Sequence, residues 1–463
     1  MLNYFNFKEF KGQYLLTNDF GRYAFLIKDE FYHLLRDDMD LNGANRQKLT
    51  ENLFIYDGSS EAFSAENRYL MRDSKNYVFT PTSLYIFVVT TACNMRCSYC
   101  QAHTANGTLP SYMDEKTAEK AVDIALSSPS NYLSFEFQGG EPLLNFKTIK
   151  HIVEYTESKC FNKEIKFSLV SNLTLLNDEI IQFIKEHHIG ISTSIDGPLE
   201  LHNINRPYAG GKGTYSDVRK AIQTLKNEGV SVGAIQTTTK ESLRYPKEIV
   251  DIYYDLGVNS LFLRPLTPLG RAKERWEQIG YTAAEFSDFY REAILYLIKR
   301  NLAGDTLQEG HVTILSSKIL HGYPANYMEL RSPCGAVIGQ MAFHVNGDVF
   351  TCDEGRMLYE MGNDYFKLGN VFSGSYDEFI SSPACKATCG SSVLESIPSC
   401  CDCVYQPYCG ICPVVNYALF GDILPKTPND YRCTIYSGIL DIIFGLLSEN
   451  DSEIIRVLES WRT

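Results

Sequence analysis

Between residues 83 and 266 the chain alternates between two hydrophobic patterns. Short runs that are wholly apolar, or apolar at every second position, are typical of strands. Longer segments with apolar residues three or four positions apart are typical of helices. Six segments of the first kind and five of the second follow one another in strict alternation. This order predicts a parallel sheet covered by helices, which an open barrel, a closed barrel or a doubly wound sheet would satisfy.

Residues 1–82 have a different pattern. Two apolar runs in QYLLTNDFGRYAFL are separated by a polar turn that ends at Gly21, which predicts a hairpin. A short helix is predicted over 28–35, and the polar, mixed segment after it predicts two more helices. We therefore predict a small α+β domain over 1–82, followed by the strand and helix repeat over 83–271.

The rest of the chain divides into three predicted parts. Residues 272–333 have the pattern of a helical connector, and residues 436–463 that of C-terminal helices. Residues 334–435 between them are loop-rich, with many Gly, Pro and Cys residues and few long apolar runs. A segment of this kind needs cross-links to hold its shape, and metal clusters can supply them. We expect residues 334–435 to form a separate cysteine-rich domain.

Composition narrows the classes of partner. The 463 residues carry a net charge of -13, which argues against nucleic acid or an anionic membrane as the main partner. The first residues include several charges and no uninterrupted apolar segment, so we expect no secretory signal. No apolar run reaches about 18 residues, the length that predicts a membrane span. We therefore expect a cytoplasmic protein that binds neither a membrane nor nucleic acid.

The fourteen cysteines are unevenly distributed. Disulfides are disfavoured in a reducing cytosol, where cysteines at short repeated spacings usually bind metal or perform redox chemistry. Three cysteines lie within 93–100 and ten lie between 334 and 433, whereas Cys160 stands alone. We expect Cys160 to be a plain buried thiol, because free cysteine behaves as a small hydrophobic residue. The two groups predict two kinds of metal site.

The first strand of the repeat leads directly into Cys93-x3-Cys97-x2-Cys100. Iron–sulfur clusters are usually held by four cysteines, so three would leave one iron open to a substrate or cofactor. The triplet resembles the signature of the radical S-adenosylmethionine (SAM) superfamily. A zinc site completed by His103 is the alternative.

That resemblance implies a fold and a chemistry. The fold is a partial (β/α)6 TIM-like barrel, of the α/β class. The cofactors are SAM and one 4Fe–4S cluster, whose fourth iron binds SAM. Reduction by an external donor of the flavodoxin or ferredoxin type cleaves SAM to a 5'-deoxyadenosyl radical, which takes a hydrogen atom from the substrate.

Further positions near the first two strands resemble SAM-binding motifs of this superfamily. Gly139, Gly140, Glu141 and Pro142 follow the second strand and resemble the GGEP motif. In the superfamily the glycine-rich edge and the acid receive the cationic amino group of methionine. Tyr99 corresponds to an aromatic residue that lies near the adenine.

The ends of the third and fourth strands add four more positions to this resemblance. Ser171 and Asn172 are similar to a polar pair that binds the ribose, and Ser194 ends the next strand, close to Asp196. Arg206 resembles the arginine that pairs with the carboxylate of SAM. Ordinary turn chemistry, or a solvated arginine in the case of Arg206, is the alternative.

Seven C-terminal cysteines have spacings that resemble the SPASM domain, which binds two auxiliary 4Fe–4S clusters. The resemblance assigns Cys400, Cys403, Cys409 and Cys433 to one cluster and Cys334, Cys352 and Cys412 to the other. Two residues separate Cys409 from Cys412, where three are common. The fourth ligand of the second cluster stays open: one of Cys385, Cys389 and Cys401 completes it, or one iron remains open. A zinc ribbon is the alternative.

Asp353 directly follows Cys352. The same pair occurs in anaerobic sulfatase maturases, where the aspartate is a proposed general base, and a carboxylate suits that role. The resemblance therefore implies a catalytic Asp353, and a surface aspartate is the alternative.

The expected substrate is a precursor peptide or protein. SPASM-bearing radical SAM enzymes mostly modify peptides or proteins, and residues 1–82 resemble the PqqD-like domain that binds a leader peptide by adding a strand to a sheet edge. The whole chain looks most like the maturases of the His-Xaa-Ser system. Three hypotheses remain open: a maturase that crosslinks or oxidises a side chain of a ribosomally made peptide, an anaerobic sulfatase maturase that forms formylglycine, and a non-catalytic iron–sulfur or zinc scaffold.

Overall fold

The computed structural model describes residues 1–36, 43–102, 109–160 and 162–461. The strands are β1 Asn6–Phe10, β2 Gln13–Thr17, β3 Tyr23–Leu26, β4 Leu84–Thr90, β5 Tyr132–Gly139, β6 Glu164–Val170, β7 Gly190–Ser194, β8 Val232–Thr237, β9 Ser260–Arg264, β10 Gln308–Glu309, β11 Gln340–Phe343, β12 Asp348–Phe350 and β13 Lys367–Asn370. The helices are α1 Lys28–Leu35, α2 Gly43–Glu51, α3 Ser60–Ser74, α4 Glu115–Leu126, α5 Phe146–Lys159, α6 Asp178–Glu186, α7 Leu199–Asn205, α8 Tyr215–Asn227, α9 Pro246–Leu256, α10 Gly270–Glu274, α11 Trp276–Ile279, α12 Ala283–Leu302, α13 Gly310–His321, α14 Asp353–Glu360, α15 Tyr376–Ile380, α16 Pro383–Gly390, α17 Pro413–Phe420, α18 Tyr431–Ser448 and α19 Ser452–Ser460.

The six predicted strands of the repeat form one parallel sheet. Strands β4 to β9 lie side by side in the order of the sequence, and every pair of neighbours is parallel. A doubly wound sheet would reverse this order at its centre, so the order favours the barrel. The predicted α/β fold with a partial barrel is confirmed. Because all six strands run in the same direction, their carboxyl ends meet at one edge.

The covering helices begin at the caps that the sequence indicates. The side chain of Asp114 accepts a hydrogen bond from Thr117 N at the start of α4, and Asn177 does the same for Ile180 N at the start of α6. Each such cap stabilises a helix by about 1 kcal/mol. Apolar residues three and four positions apart then face the sheet, and in α6 every isoleucine and Phe183 are buried.

The sheet continues beyond the repeat at both edges. The two-residue strand β10 pairs with β9, and β11 pairs in parallel with β4, followed by β12 and β13 in antiparallel order. We did not predict these strands, because they are two to four residues long and β11 and β12 are buried at every position, so no alternation marks them. The cysteine-rich region is therefore joined to the barrel sheet through β11.

The N-terminal residues form an antiparallel sheet in the order β1-β2-β3, followed by α1, α2 and α3. The hairpin and the three predicted helices are all present. This sheet packs on the C-terminal region: Tyr23 and Phe25 contact the ring of Phe444, and Asn6 donates to the carbonyls of Cys401 and Cys403. Within the described ranges, we find no helix with the length and apolarity that crossing a membrane requires.

Candidate active site

The carboxyl ends of the barrel strands border a cavity of about 310 Å³. It collects almost all of the residues that the sequence pointed to on this side of the chain. Its walls include Cys93, Cys97, Tyr99, Cys100, Gly139, Gly140, Glu141, Ser171, Asn172, Ser194, Arg206 and Asp353. Pro142 is buried in the turn after β5 and is not one of the lining residues, and His103 lies outside the described residues.

The two glycines let the end of β5 close against the loop that carries the cysteines. A Cβ on Gly139 would lie 2.2 Å from Thr90 O, and one on Gly140 would lie 2.2 Å from Ala92 O. The backbone uses this approach, since Gly140 N donates to Thr90 O at 2.8 Å and Glu141 N donates to Ala92 O at 2.7 Å. No side chain larger than hydrogen fits there, which gives the Gly-Gly pair a structural reason.

The buried side chain of Glu141 links the ends of two strands through hydrogen bonds. It is 1% exposed, and its carboxylate accepts hydrogen bonds from Leu143 N at 3.1 Å, Ser171 Oγ at 2.7 Å and Asn172 N at 2.8 Å. Burial raises the pKa of Glu141, while the donors from Ser171 and Asn172 oppose that rise. The acid therefore ties the end of β5 to the end of β6.

The polar groups of Ser171 and Asn172 are also engaged within the protein. Ser171 Oγ accepts from Leu173 N, and Asn172 Nδ2 donates to Asn94 Oδ1 at 2.9 Å, in the loop between Cys93 and Cys97. Ser194 differs, because its hydroxyl has no hydrogen-bond partner among the described residues and lines the cavity. Of the three residues, Ser194 has the hydroxyl that is available to a ligand.

Tyr99, Asp196 and Arg206 form a buried chain beside the triplet. Tyr99 Oη donates to Asp196 Oδ2 at 2.8 Å and accepts from Arg206 Nη1 at 2.7 Å. Burial raises the pKa of Asp196, and the charge of Arg206 opposes that rise. Arg206 Nε is buried and has no partner among the described residues. A fixed guanidinium with a free N–H on a cavity wall can bind an anionic group such as a carboxylate.

The three thiols of the loop are close enough to influence one another. Burial raises the pKa of Cys100 to about 11, the charge of Cys97 adds to the rise, and Arg271 opposes it. A coordinating thiol loses its proton to a metal, so these groups can serve as ligands. Among the described residues, no three His, Cys, Asp or Glu side chains are placed to hold a single metal ion.

Two further cavities collect the C-terminal cysteines in the groups that the sequence suggested. A second cavity, of about 370 Å³, is lined by Cys334, Cys352 and Cys412. A third, of about 40 Å³, is lined by Cys400, Cys403, Cys409 and Cys433. In the part of the chain that the structure describes, Cys385, Cys389 and Cys401 line none of the three cavities.

Asp353 stands between the first cavity and the second. It is 8% exposed, so the alternative of a surface aspartate is wrong. Its Oδ1 accepts from Arg356 Nε at 3.1 Å and also contacts Arg356 Nη2. The first two cavities share Gln101, Gln138, Arg264, Thr267, Asp353 and Glu354 as lining residues. The cavity of the triplet and the cavity of Cys334 are thus adjacent and share a polar wall.

Sequence reasoning missed three groups at this wall. Arg264, at the end of β9, contacts Glu329. Burial acts to raise the pKa of Glu329, but the charges of Arg264 and Arg432 outweigh burial and lower this pKa. Glu354 lines both cavities. The only sequence feature that indicated a functional role for Glu354 was its place after Cys352 and Asp353. No pattern in the sequence indicated such a role for Arg264 or Glu329.

Comparisons with known proteins agree with this geometry. Residues 87–252 match the family model of the Radical SAM superfamily. A protein of Methanocaldococcus jannaschii is 38% identical over 183 residues, which are 40% of this chain and 62% of that protein, so the chain spans less than two thirds of this relative. The cysteine-type anaerobic sulfatase-maturating enzyme of Clostridium perfringens is 26% identical over 298 residues, which are 63% of this chain and 78% of that enzyme.

Two solved structures share the fold. The anSMEcpe structure with bound AdoMet and the Kp18Cys peptide has a TM-score of 0.67 at 21% identity, and the match covers 82% of this chain and 99% of that chain. The Streptococcus suis SuiB structure bound to the precursor peptide SuiA has a TM-score of 0.56 at 16% identity, and the match covers 92% of this chain and 97% of that chain. At these identities the likeness concerns the fold alone.

Proposed function

Since residues 87–252 match the family model of the Radical SAM superfamily, we propose that the chain is a radical SAM enzyme and a maturase acting on a ribosomally synthesised peptide or protein. The modification is a crosslink or an oxidation of a side chain. One observation carries the proposal: the cavity of the triplet and the cavity of Cys334, Cys352 and Cys412 share a wall. A substrate side chain at that wall lies between two cofactor sites.

The first cavity suits SAM and a cluster held by Cys93, Cys97 and Cys100. The free Nε of Arg206 would meet the carboxylate of SAM, and the hydroxyl of Ser194 would meet a polar group of the nucleoside. When bound, SAM and the reduced cluster supply a 5'-deoxyadenosyl radical. The chain itself fixes Arg206 through Tyr99 and Asp196. An external one-electron donor is part of this proposal.

Two auxiliary 4Fe–4S clusters complete the proposed set of cofactors. The grouping of the seven C-terminal cysteines into two cavities supports them, because each cavity gathers one predicted ligand set. Cys352 also caps α14, and its Sγ accepts from Gly355 N at 3.3 Å. A helix N-terminus favours a thiolate, which is the form that binds iron.

We assign to Asp353 the role of the group that accepts a proton from the substrate. It lines both cavities, and Arg356 donates only to its Oδ1, which leaves Oδ2 for the substrate. Asp353→Asn keeps the shape and removes the basic oxygen. We expect the variant to cleave SAM while the yield of modified peptide falls at least tenfold. Equal loss of both activities would contradict this role.

The N-terminal unit over 1–82 is proposed to bind the leader of the substrate. Within the described residues, β1 pairs on one side only, with β2, so its other edge is open to an added strand. Phe7 in this strand is 50% exposed, and the centroid of its ring lies 4.9 Å from that of Phe31.

The alternative is an anaerobic sulfatase maturase that forms formylglycine. It is favoured by the similarity to the Clostridium perfringens enzyme over 298 residues and by the Cys352-Asp353 pair. Such an enzyme reads a short sulfatase motif and needs no leader.

The test incubates the reconstituted protein, SAM and a reductant with two kinds of peptide and follows their mass. One is a small precursor encoded beside the enzyme, with and without its leader, and the other is a peptide with a sulfatase motif. The proposal expects a mass change only for the precursor with its leader. Turnover of the sulfatase peptide would establish the alternative, and turnover without the leader would contradict the role of residues 1–82.

A further inference from the structure

The second cavity has one cysteine fewer than the third. Cys334, Cys352 and Cys412 line the second, whereas four cysteines line the third. An iron–sulfur cluster is typically held by four protein ligands. Of the remaining C-terminal cysteines, Cys389 points its thiol at Ala336 O, 3.8 Å away, and interacts with Cys385 and Cys334, but it lines neither cavity. A ligand of another type is therefore worth seeking in the wall of the second cavity.

Glu354 lies in that wall, two residues after Cys352 and in the first turn of α14. Its neighbour Asp353 is paired with Arg356, whereas the carboxylate of Glu354 accepts a hydrogen bond from its own backbone N–H and has no hydrogen bond or ion pair to another residue that the structure describes. A carboxylate removed from bulk water is costly unless it is paired or coordinates a metal. Glu354 thus keeps unused acceptor capacity at the point where the cysteine set lacks a member.

Glu354 also lies within electrostatic reach of all three thiols. Burial raises the pKa of Cys352, and the negative charge of Glu354 is the next largest cause. Burial likewise raises the pKa of Cys334 and of Cys412, and in each case Glu354 adds to the rise. The three cysteines influence one another in the same way. All four side chains line the second cavity, so they border a common space.

We propose that the carboxylate of Glu354 is the fourth ligand of the cluster held by Cys334, Cys352 and Cys412. This inference rests on the proposed function, which places an auxiliary cluster at those cysteines. Glu354 also lines the first cavity, so its side chain borders both the second cavity and the cavity of the triplet.

The test uses the chain with Cys93, Cys97 and Cys100 all changed to Ala, so that only auxiliary clusters contribute. Anaerobic reconstitution should give about 8 irons per chain, four for each of two clusters. On this background Glu354→Gln, Glu354→Cys and a surface control, Glu154→Gln in α5, are compared. Iron per chain is measured first. The samples are then oxidised, and electron paramagnetic resonance reports any three-iron cluster, which forms when one iron lacks a firm ligand.

The inference expects Glu354→Gln to lose between one and four irons per chain, or to give the three-iron signal, and Glu354→Cys to keep about 8 irons without that signal. Glu154→Gln should match the background. If Glu354→Gln also matches it, or if Cys389→Ala gives the loss instead, Glu354 is not the ligand. A background chain without iron would remove the auxiliary clusters from the proposed function, and this inference with them.

Discussion

Tyr99→Phe removes a single oxygen from the wall of the candidate active site. That oxygen donates to Asp196 Oδ2 at 2.8 Å and accepts from Arg206 Nη1 at 2.7 Å, so the change breaks two hydrogen bonds to charged groups. Asp196 is 0% exposed, and it keeps a long contact with Thr237 N, at 3.4 Å, and an interaction with the side chain of Asn205. The acid then lies buried with a weaker set of partners.

The magnitude follows from the two bonds. A hydrogen bond to a charged group contributes about 1.5–3 kcal/mol, so two give about 3–6 kcal/mol at most. The attraction between Asp196 and Arg206 survives the change and offsets part of this loss. We therefore expect the free energy of unfolding to fall by about 2–4 kcal/mol. Arg206 also loses the contact that orients it, and we expect SAM affinity to fall about tenfold, which corresponds to about 1.4 kcal/mol.

Tyr253→Phe is the matched control. Its hydroxyl is buried and donates to a neutral acceptor, Ile195 O, at 3.0 Å. We expect a loss of about 1 kcal/mol in stability and no change in SAM binding. Denaturant titration and equilibrium binding of SAM to the reconstituted proteins measure both quantities. If Tyr99→Phe loses no more stability than Tyr253→Phe and binds SAM like the parent, the chain through Tyr99 does not position Arg206.

Three further predictions concern the same edge of the barrel. Gly140→Ala places a Cβ about 2.2 Å from Ala92 O, so iron bound at the triplet should fall severalfold, while Gly210→Ala, which has open space, should leave it unchanged. Burial lowers the pKa of His202 to about 3 from an ordinary value of 6.5, so the folded state binds fewer protons than the unfolded state between those values. Stability should therefore fall as the pH drops below about 6.5, by up to about 1.4 kcal/mol per pH unit, and denaturation of His202→Gln should lack this slope. Ser194→Ala should weaken SAM binding about fivefold and change the free energy of unfolding by less than about 0.5 kcal/mol.

The sequence was sufficient for the barrel because its strands and helices are long and regular. Strands β4 to β9 have five to eight residues each, and caps such as Asp114 and Asn177 mark the helix starts. The short strands β11 to β13 carry no such signal, since β11 and β12 are buried at every position, and β11 owes its extended form to β4 and β12 to β11 and β13. A window of three or four residues cannot distinguish them from loops.

The candidate site, like the fold, could be predicted only in part from the sequence. The resemblance to the SPASM domain grouped the seven C-terminal cysteines, which spacing alone could not do, because Cys409 and Cys412 are close in sequence and belong to different groups. The hydrogen-bond partners of Tyr99 could not be predicted from local sequence. Asp196 and Arg206 lie about a hundred residues from Tyr99 in the chain and contact it only where the strand ends meet. The roles expected for Ser171 and Asn172 stay predictions, and the folded chain also uses their polar groups to hold Glu141 and Asn94.

The central claim is that Cys93, Cys97 and Cys100 hold an iron–sulfur cluster that binds SAM and cleaves it reductively to a 5'-deoxyadenosyl radical. The most direct measurement is the amount of 5'-deoxyadenosine formed by the anaerobically reconstituted chain with SAM and a reductant, compared with the chain in which these three cysteines are Ala. Cys160→Ala, which removes a thiol that lines none of the three cavities, is the control. We predict 5'-deoxyadenosine from the parent and from Cys160→Ala, and none from the triple variant. Equal formation in all three chains, or none in the iron-loaded parent, would contradict the account.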